Sequence, residues 1–169
     1  IIDRLISFGV KIYIGQDKNN IKNASIVVYS YEIKKNNIEI VEAKKLFIPI
    51  IHRSEMLSEL MKLKKSIAIA GTHGKTTTTS LISKILDTNK MDPTIINGGI
   101  ISSLASNAKL GQGQWMVVEA DESDGSFSKL MPTVAVITNI DLEHLDFHKN
   151  EKDLENAFIN FISSIPFYG

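Results

Sequence analysis

The sequence predicts an α/β fold built as two successive units with parallel sheets. Two observations carry this. Short apolar runs alternate with helix-spaced apolar stripes along the chain, as repeated βα units require. In the second half, the run Ile67-Ala68-Ile69-Ala70 passes straight into a glycine-bearing turn and then a long amphipathic stretch, in the order strand, turn, helix.

In chain order, Ile2, Leu5, Ile6 and Phe8 sit near helical spacing, and Gly9 is placed to cap that helix. Lys11-Ile12-Tyr13-Ile14-Gly15 reads as a short strand, and Ala24 to Tyr31, containing Ile26-Val27-Val28-Tyr29, as a buried parallel strand. Ile38 to Lys45 follows as a helix. Ile48-Pro49-Ile50-Ile51 is a strand whose Pro49 argues for an edge or a strand start. Residues 53–63 form a helix with Met56, Leu57, Leu60 and Met61 on one face, and Met61 to Lys65, with three lysines, is the expected linker. The second unit starts near Ser66. Thr76 to Asn89 is a helix expected to turn Leu81, Ile82, Ile85 and Leu86 inward. Trp115 to Ala120 and Thr133 to Thr138 are two more buried strands. Glu151 to Ser164 is a helix with Leu154, Ala157, Phe158, Phe161 and Ile162 inward.

Composition narrows the function. Among 169 residues the formal net charge is zero, so no global field draws the chain to nucleic acid or an acidic membrane. There is no cysteine, which excludes disulfides and thiolate metal sites. No apolar run approaches the roughly 18 residues of a membrane span, and Ile1-Ile2-Asp3-Arg4 does not open a signal peptide. The expectation is a cytoplasmic protein with neither nucleic acid nor membrane as partner.

Three motifs carry chemistry, each just past a strand. The first is Gly71-Thr72-His73-Gly74-Lys75-Thr76-Thr77. Glycines let backbone N–H groups turn in around phosphate oxygens, and a helix N-terminus adds partial positive charge. Lys75 can reach the β- and γ-phosphates of ATP, and the Thr76 hydroxyl can ligate Mg²⁺. Ile69 stands where the full phosphate-loop pattern has its first glycine. The second motif is Glu119-Ala120-Asp121-Glu122-Ser123-Asp124, four carboxylates that repel one another unless a cation or substrate is present. The third, Thr138 to Asp146, crowds Asn139, Asp141, Glu143 and His144 at one strand end, where open α/β sheets bind ligands. His52 and His148 are read as ordinary surface or core residues.

Taken together, Ala70 to Thr78, Asn97-Gly98-Gly99, Glu119 to Asp124, and Asn139 with His144 resemble the Mur ligase family of peptidoglycan synthesis, over essentially the whole chain. Residues 1–65 look like the later part of that family's Rossmann-like, UDP-substrate-binding N-terminal domain. Residues 66–169 look like the first part of its central ATP-binding domain. The resemblance implies an ATP- and Mg²⁺-dependent ligase that joins L-alanine to the carboxylate of UDP-N-acetylmuramate through an acyl phosphate. It implies that Gly71, Thr72, His73, Gly74, Lys75, Thr76 and Thr77 bind the nucleotide. Lys75, Glu119 and His144 would be catalytic, and Thr76, Glu119 and His144 would hold metal. His73 matches the alanine-adding branch, since most related ligases carry Asn or Ser there. The family usually reads Glu-x-Asp-His before the metal His, whereas Asp141-Leu142-Glu143-His144 swaps the two acids.

Two other readings compete. The ligase that recycles a tripeptide onto UDP-muramic acid shares the His-bearing loop, but usually has Tyr where Ser123 stands and lacks Asn97-Gly98-Gly99. A non-catalytic nucleotide-binding module has no need of a second metal site. Because the family's members are far longer, the chain is expected to be a fragment, inactive alone.

Overall fold

The computed structural model describes residues 2–101, 106–121, 126–141 and 151–169. These residues form two compact units, Ile1–Met56 and Leu57–Gly169.

The first unit is lightly built. Helix α1 (Ile2–Ser7) buries none of its residues. Gly9, at φ +80°, ends it and donates its N–H to Ile6 O at 2.8 Å. The strand expected at Lys11–Gly15 does not form. Its residues find no ladder partner among the described residues, Ile14 is 89% exposed, and Gly15 turns the chain at φ +86°. Strand β1 is only Val27–Tyr29, and it pairs in parallel with β2, Ile50–His52. A two-stranded ladder cannot bury both faces, so Val28 stays exposed although its apolar run suggested a fully buried strand. Pro49 precedes β2, where its missing N–H costs no ladder bond, and its carbonyl accepts the Val27 N–H at 2.8 Å. Helix α2 (Ile38–Lys45) starts on Asn37, whose side chain accepts the N–H groups of Glu39 and Ile40, and it buries Ile40 and Ala43. Helix α3 (Arg53–Met61), whose residues from Leu57 belong to the second unit, opens on a reciprocal cap: Glu55 accepts the His52 N–H at 3.1 Å, while His52 Nδ1 accepts from Ser54 N.

The second unit is a five-stranded sheet with the order β5-β4-β6-β3-β7. The strands are β3 (Lys65–Ala70), β4 (Thr94–Ile101), β5 (Ser106–Lys109), β6 (Trp115–Glu119) and β7 (Val134–Ile137). All neighbours are parallel except β5, which lies antiparallel to β4. The β4–β5 pair was not foreseen. In β4 the Asn97-Gly98-Gly99 stretch interrupts the β-branched residues on either side, and β5, Ser-Asn-Ala-Lys, has none at all.

One face of this sheet carries the main core. Ala68, Ala70, Met116, Val118 and Ala120 alternate along β3 and the β6 segment. Phe127, Leu130, Leu154, Phe158 and Phe161 pack against them from a 3₁₀ turn (Ser126–Lys129) and helix α5 (Glu151–Ser163). Phe127 stacks obliquely on Phe158 and Phe161, with centroids 5.0 and 5.4 Å apart. Met61, expected in a linker, belongs to this core at 1% exposure. Ile162, expected inward, is 48% exposed. Helix α4 (Lys75–Thr88) packs against β3, β4 and β6. It differs from the expected face. Leu81 and Ile85 are 60% and 61% exposed, while Thr79 and Ser83 are buried. Small side chains at this i, i+4 pair let the helix lie close to the sheet, which is why the most apolar stripe is not the inward one. Lys109 ties β5 to the end of α4 by reaching Asp87 at 2.7 Å and Asp92 at 2.9 Å. Those two carboxylates, Asp87 first, hold its ammonium above the usual lysine range. Among the described residues no helix is long and apolar enough to cross a membrane.

Candidate phosphate loop and its acidic partner

The parallel strands β3, β6 and β7 end on one edge of the sheet, so three chain segments remote in sequence meet there. β3 delivers the loop Gly71–Gly74. Gly71 sits at φ +128°, a region that L side chains avoid, and a Cβ on it would lie 2.2 Å from Thr138 Oγ1. Gly74, at φ +80°, is the N-cap residue of α4, so Lys75, Thr76 and Thr77 form the helix's first turn. The N–H groups of a first turn lack carbonyls four residues back and carry the positive end of the helix dipole.

Lys75 lies back across the loop, its ammonium donating to Gly71 O at 2.6 Å and Thr72 O at 3.1 Å. The Thr76 hydroxyl points to the end of β6, where it lies 3.1 and 3.0 Å from Glu119 Oε1 and Oε2. Glu119 is held from a second side by Gly98 of β4, whose N–H donates to Oε2 at 2.8 Å. Behind them, Ser80 donates to Thr76 O at 2.8 Å. The end of β7 braces the loop. Thr72 N–H donates to Asn139 O at 3.1 Å, and Asp141 N–H donates to Thr72 Oγ1 at 2.9 Å. Thr138 donates its hydroxyl to His73 O at 2.6 Å. His73 itself is exposed, with Nε2 3.6 Å from Asp141 Oδ2.

The structure therefore brings Gly71, Thr72, His73, Gly74, Lys75, Thr76, Thr77 and Glu119 to one sheet edge. His144, with Glu122, Ser123, Asp124 and Glu143 of the two acidic motifs, lies outside the described residues. Among the described residues no group of three or more His, Asp and Glu side chains is placed to hold a metal. The donor chemistry nonetheless suits Mg²⁺: a hydroxyl and a carboxylate already sit at contact distance, both hard oxygen ligands, beside a loop suited to phosphate. Two contributors stood in the sequence motifs without an assigned role: Thr138, which opens the third motif, and Gly98 of Asn97-Gly98-Gly99, which nothing local links to Glu119, 21 positions away.

Comparison with known proteins bears on the whole chain. Residues 69–169 match the Mur ligase middle domain, and residues 1–65 match the model described as Mur ligase family, catalytic domain. The chain belongs to the Mur ligase family. Among curated Mur ligases, the UDP-N-acetylmuramate–L-alanine ligase of Parvibaculum lavamentivorans is 52% identical over 168 residues, covering 99% of this chain and 34% of that protein. Among solved Mur ligases, the UDP-N-acetylmuramate-alanine ligase MurC of Thermotoga maritima superposes with a TM-score of 0.85 at 30% identity, covering 96% of this chain and 39% of that one. The UDP-N-acetylmuramate:L-alanyl-γ-D-glutamyl-meso-diaminopimelate ligase of Neisseria meningitidis gives 0.80 at 25% identity, over 97% of this chain and 56% of that one. The chain spans about a third of the length of the curated Mur ligases that it matches.

Proposed function

We propose that this chain is the nucleotide-activating part of an ATP-dependent ligase that joins L-alanine to the carboxylate of UDP-N-acetylmuramate in peptidoglycan synthesis. The observation that carries the reading is the Thr76–Glu119 contact at the mouth of a strand–glycine-loop–helix turn. Residues 66–169 serve the ATP and residues 1–65 the UDP-sugar.

The reaction has to bring two anions together, a carboxylate and a triphosphate, so its barrier is largely electrostatic. The backbone N–H groups from Gly74 onward, at the first turn of α4, bind phosphate oxygens, and Lys75 adds a mobile positive charge. Thr76 and Glu119, with His144, would hold Mg²⁺, which would supply charge neutralisation where carboxylate and γ-phosphate meet. Glu119 is kept in place by Gly98 N–H and the Thr76 hydroxyl. Asp121, exposed at the end of the same segment, adds to the negative field that favours a cation there.

The deciding experiment follows ADP release by the full-length protein supplied with ATP, Mg²⁺ and UDP-N-acetylmuramate. L-alanine should stimulate release strongly and L-alanyl-γ-D-glutamyl-meso-diaminopimelate should not. Stimulation by the tripeptide alone would establish the recycling reaction instead. No ADP release with either would leave a non-catalytic nucleotide-binding module.

Gly98 supplies a sharper test of the Glu119 role. A Cβ on residue 98 would stand 2.8 Å from Glu119 Oε1 and 3.0 Å from its Cδ. Those atoms end a flexible side chain, so Gly98→Ala is relieved by moving the carboxylate away from Thr76. Thermal stability should change by about 1 kcal/mol or less, as for accommodated substitutions. Turnover should fall roughly 10- to 100-fold, in the range seen when a group supporting a metal ligand is lost. Melting curves and initial rates on the same preparation separate the two.

A further inference from the structure

A loop that binds phosphate tightly must be held in shape before the phosphate arrives. β3 and β7 pair in parallel up to Ala70↔Ile137. Two backbone bonds continue past that point, Thr138 N–H to Ala70 O at 3.0 Å and Thr72 N–H to Asn139 O at 3.1 Å. At His73 a side chain takes over. Asn139 Oδ1 accepts the His73 N–H at 2.8 Å, and Asn139 Nδ2 donates to the His73 carbonyl at 3.1 Å. The carboxamide thus offers one acceptor and one donor to a single backbone residue, as a neighbouring strand would. It does so where no regular ladder can continue, because Gly71 at φ +128° and Gly74 at φ +80° bend the chain out of the sheet.

We propose that Asn139 is a positioning residue whose carboxamide substitutes for a missing strand peptide and fixes the phosphate loop before nucleotide arrives, a role that rests on Gly71–Thr77 being such a loop. The N–H groups of Thr72 and His73 both turn toward the end of β7. Phosphate recognition then falls to the backbone from Gly74 onward and to the first turn of α4. His73 belongs to the loop's scaffold through its peptide, while its imidazole stays at the surface beside Asp141. A preset loop spends no binding free energy on ordering itself, so the carboxamide acts on nucleotide affinity.

The chemistry dictates an order of effects that packing would not. Aspartate has the shape of asparagine but offers only acceptors. At residue 139 it would face the His73 carbonyl with a negative charge and stand beside bound phosphate. Asn139→Ala removes both bonds without adding charge. In the full-length protein, ADP affinity measured by calorimetry should fall about tenfold in Asn139→Ala, and further in Asn139→Asp. The His73 amide should exchange with solvent faster in both, while the melting temperature and the KM for UDP-N-acetylmuramate stay near wild type. Wild-type ADP affinity in Asn139→Asp, or unchanged exchange at His73, overturns the proposal and leaves the nucleotide reading intact. A wild-type protein that binds no ADP overturns both.

Discussion

Replacing Lys75 with alanine in the full-length protein should lower ATP-dependent ligation by about 10³-fold or more, near 4 kcal/mol of transition-state stabilisation. The ammonium already lies within the loop, on Gly71 O and Thr72 O. It therefore needs only a side-chain rotation, not a backbone rearrangement, to meet a phosphate. Its removal deletes a cation at the point where two anions must approach, and water cannot replace a positioned charge. Folding should be little affected, because the side chain is only half-buried and starts a helix in which alanine is well tolerated. The measurement is initial rate beside a melting curve. Near-normal turnover from folded Lys75→Ala would remove the loop from the mechanism. Arginine at 75 should rescue poorly, since a planar fork does not reproduce a compact ammonium in a tight loop.

Gly71→Ala should fail at an earlier stage. The substitution places an L side chain at φ +128° and drives its Cβ to 2.2 Å from Thr138 Oγ1 and 2.8 Å from Asn139 O. Backbone atoms cannot swing aside as a carboxylate can, so the loop and the end of β7 must separate. Strain and overpacking together should cost about 2–5 kcal/mol, enough to unfold a marginal unit. The expected result is a large drop in melting temperature together with loss of ADP binding. Gly71→Ala that melts like wild type and still binds ADP would mean that the loop has a second conformation in which residue 71 is unstrained. The contrast with Gly98→Ala is instructive: both substitutions add one methyl group, but one meets a short hydroxyl side chain with backbone directly behind it and the other meets the end of a flexible side chain.

Much of this was legible in the residues. Strand Ile67–Ala70, the glycine turn and the long helix after it are local signals, each dictated by side-chain period and by glycine's conformational range. Helix α2 was legible to the residue, because Asn37 caps its start and the lysines mark its end. Strand Lys11–Gly15 was misread for the opposite reason. An apolar alternation is only half of a strand, and the other half is a partner. The inward face of α4 was misread in part because apolar count outweighed size: Ile82 and Leu86 are half-buried, but Leu81 and Ile85, which looked like core, are exposed, and Thr79 and Ser83 allow the closer approach to the sheet.

By itself, then, the sequence determined that a glycine-bearing turn joins a strand to a helix at Gly71–Thr77, which side chains it offers, and that carboxylates follow at least one other strand. Those are matters of residue type and short spacing. Only the tertiary structure decided which of these groups meet. Glu119 reaches Thr76 across 43 positions because β6 inserts between β4 and β3, a strand order no local pattern encodes. Gly98 braces that same carboxylate because β4 lies on the far side of β6. Asn139 reaches His73 across 66 positions because β7 pairs with β3 in a register that ends at the glycine turn. The physical reason is the same in each case. Helix starts and glycine turns are set by interactions between near neighbours, whereas strand order and register are set by burying two faces of a whole sheet at once.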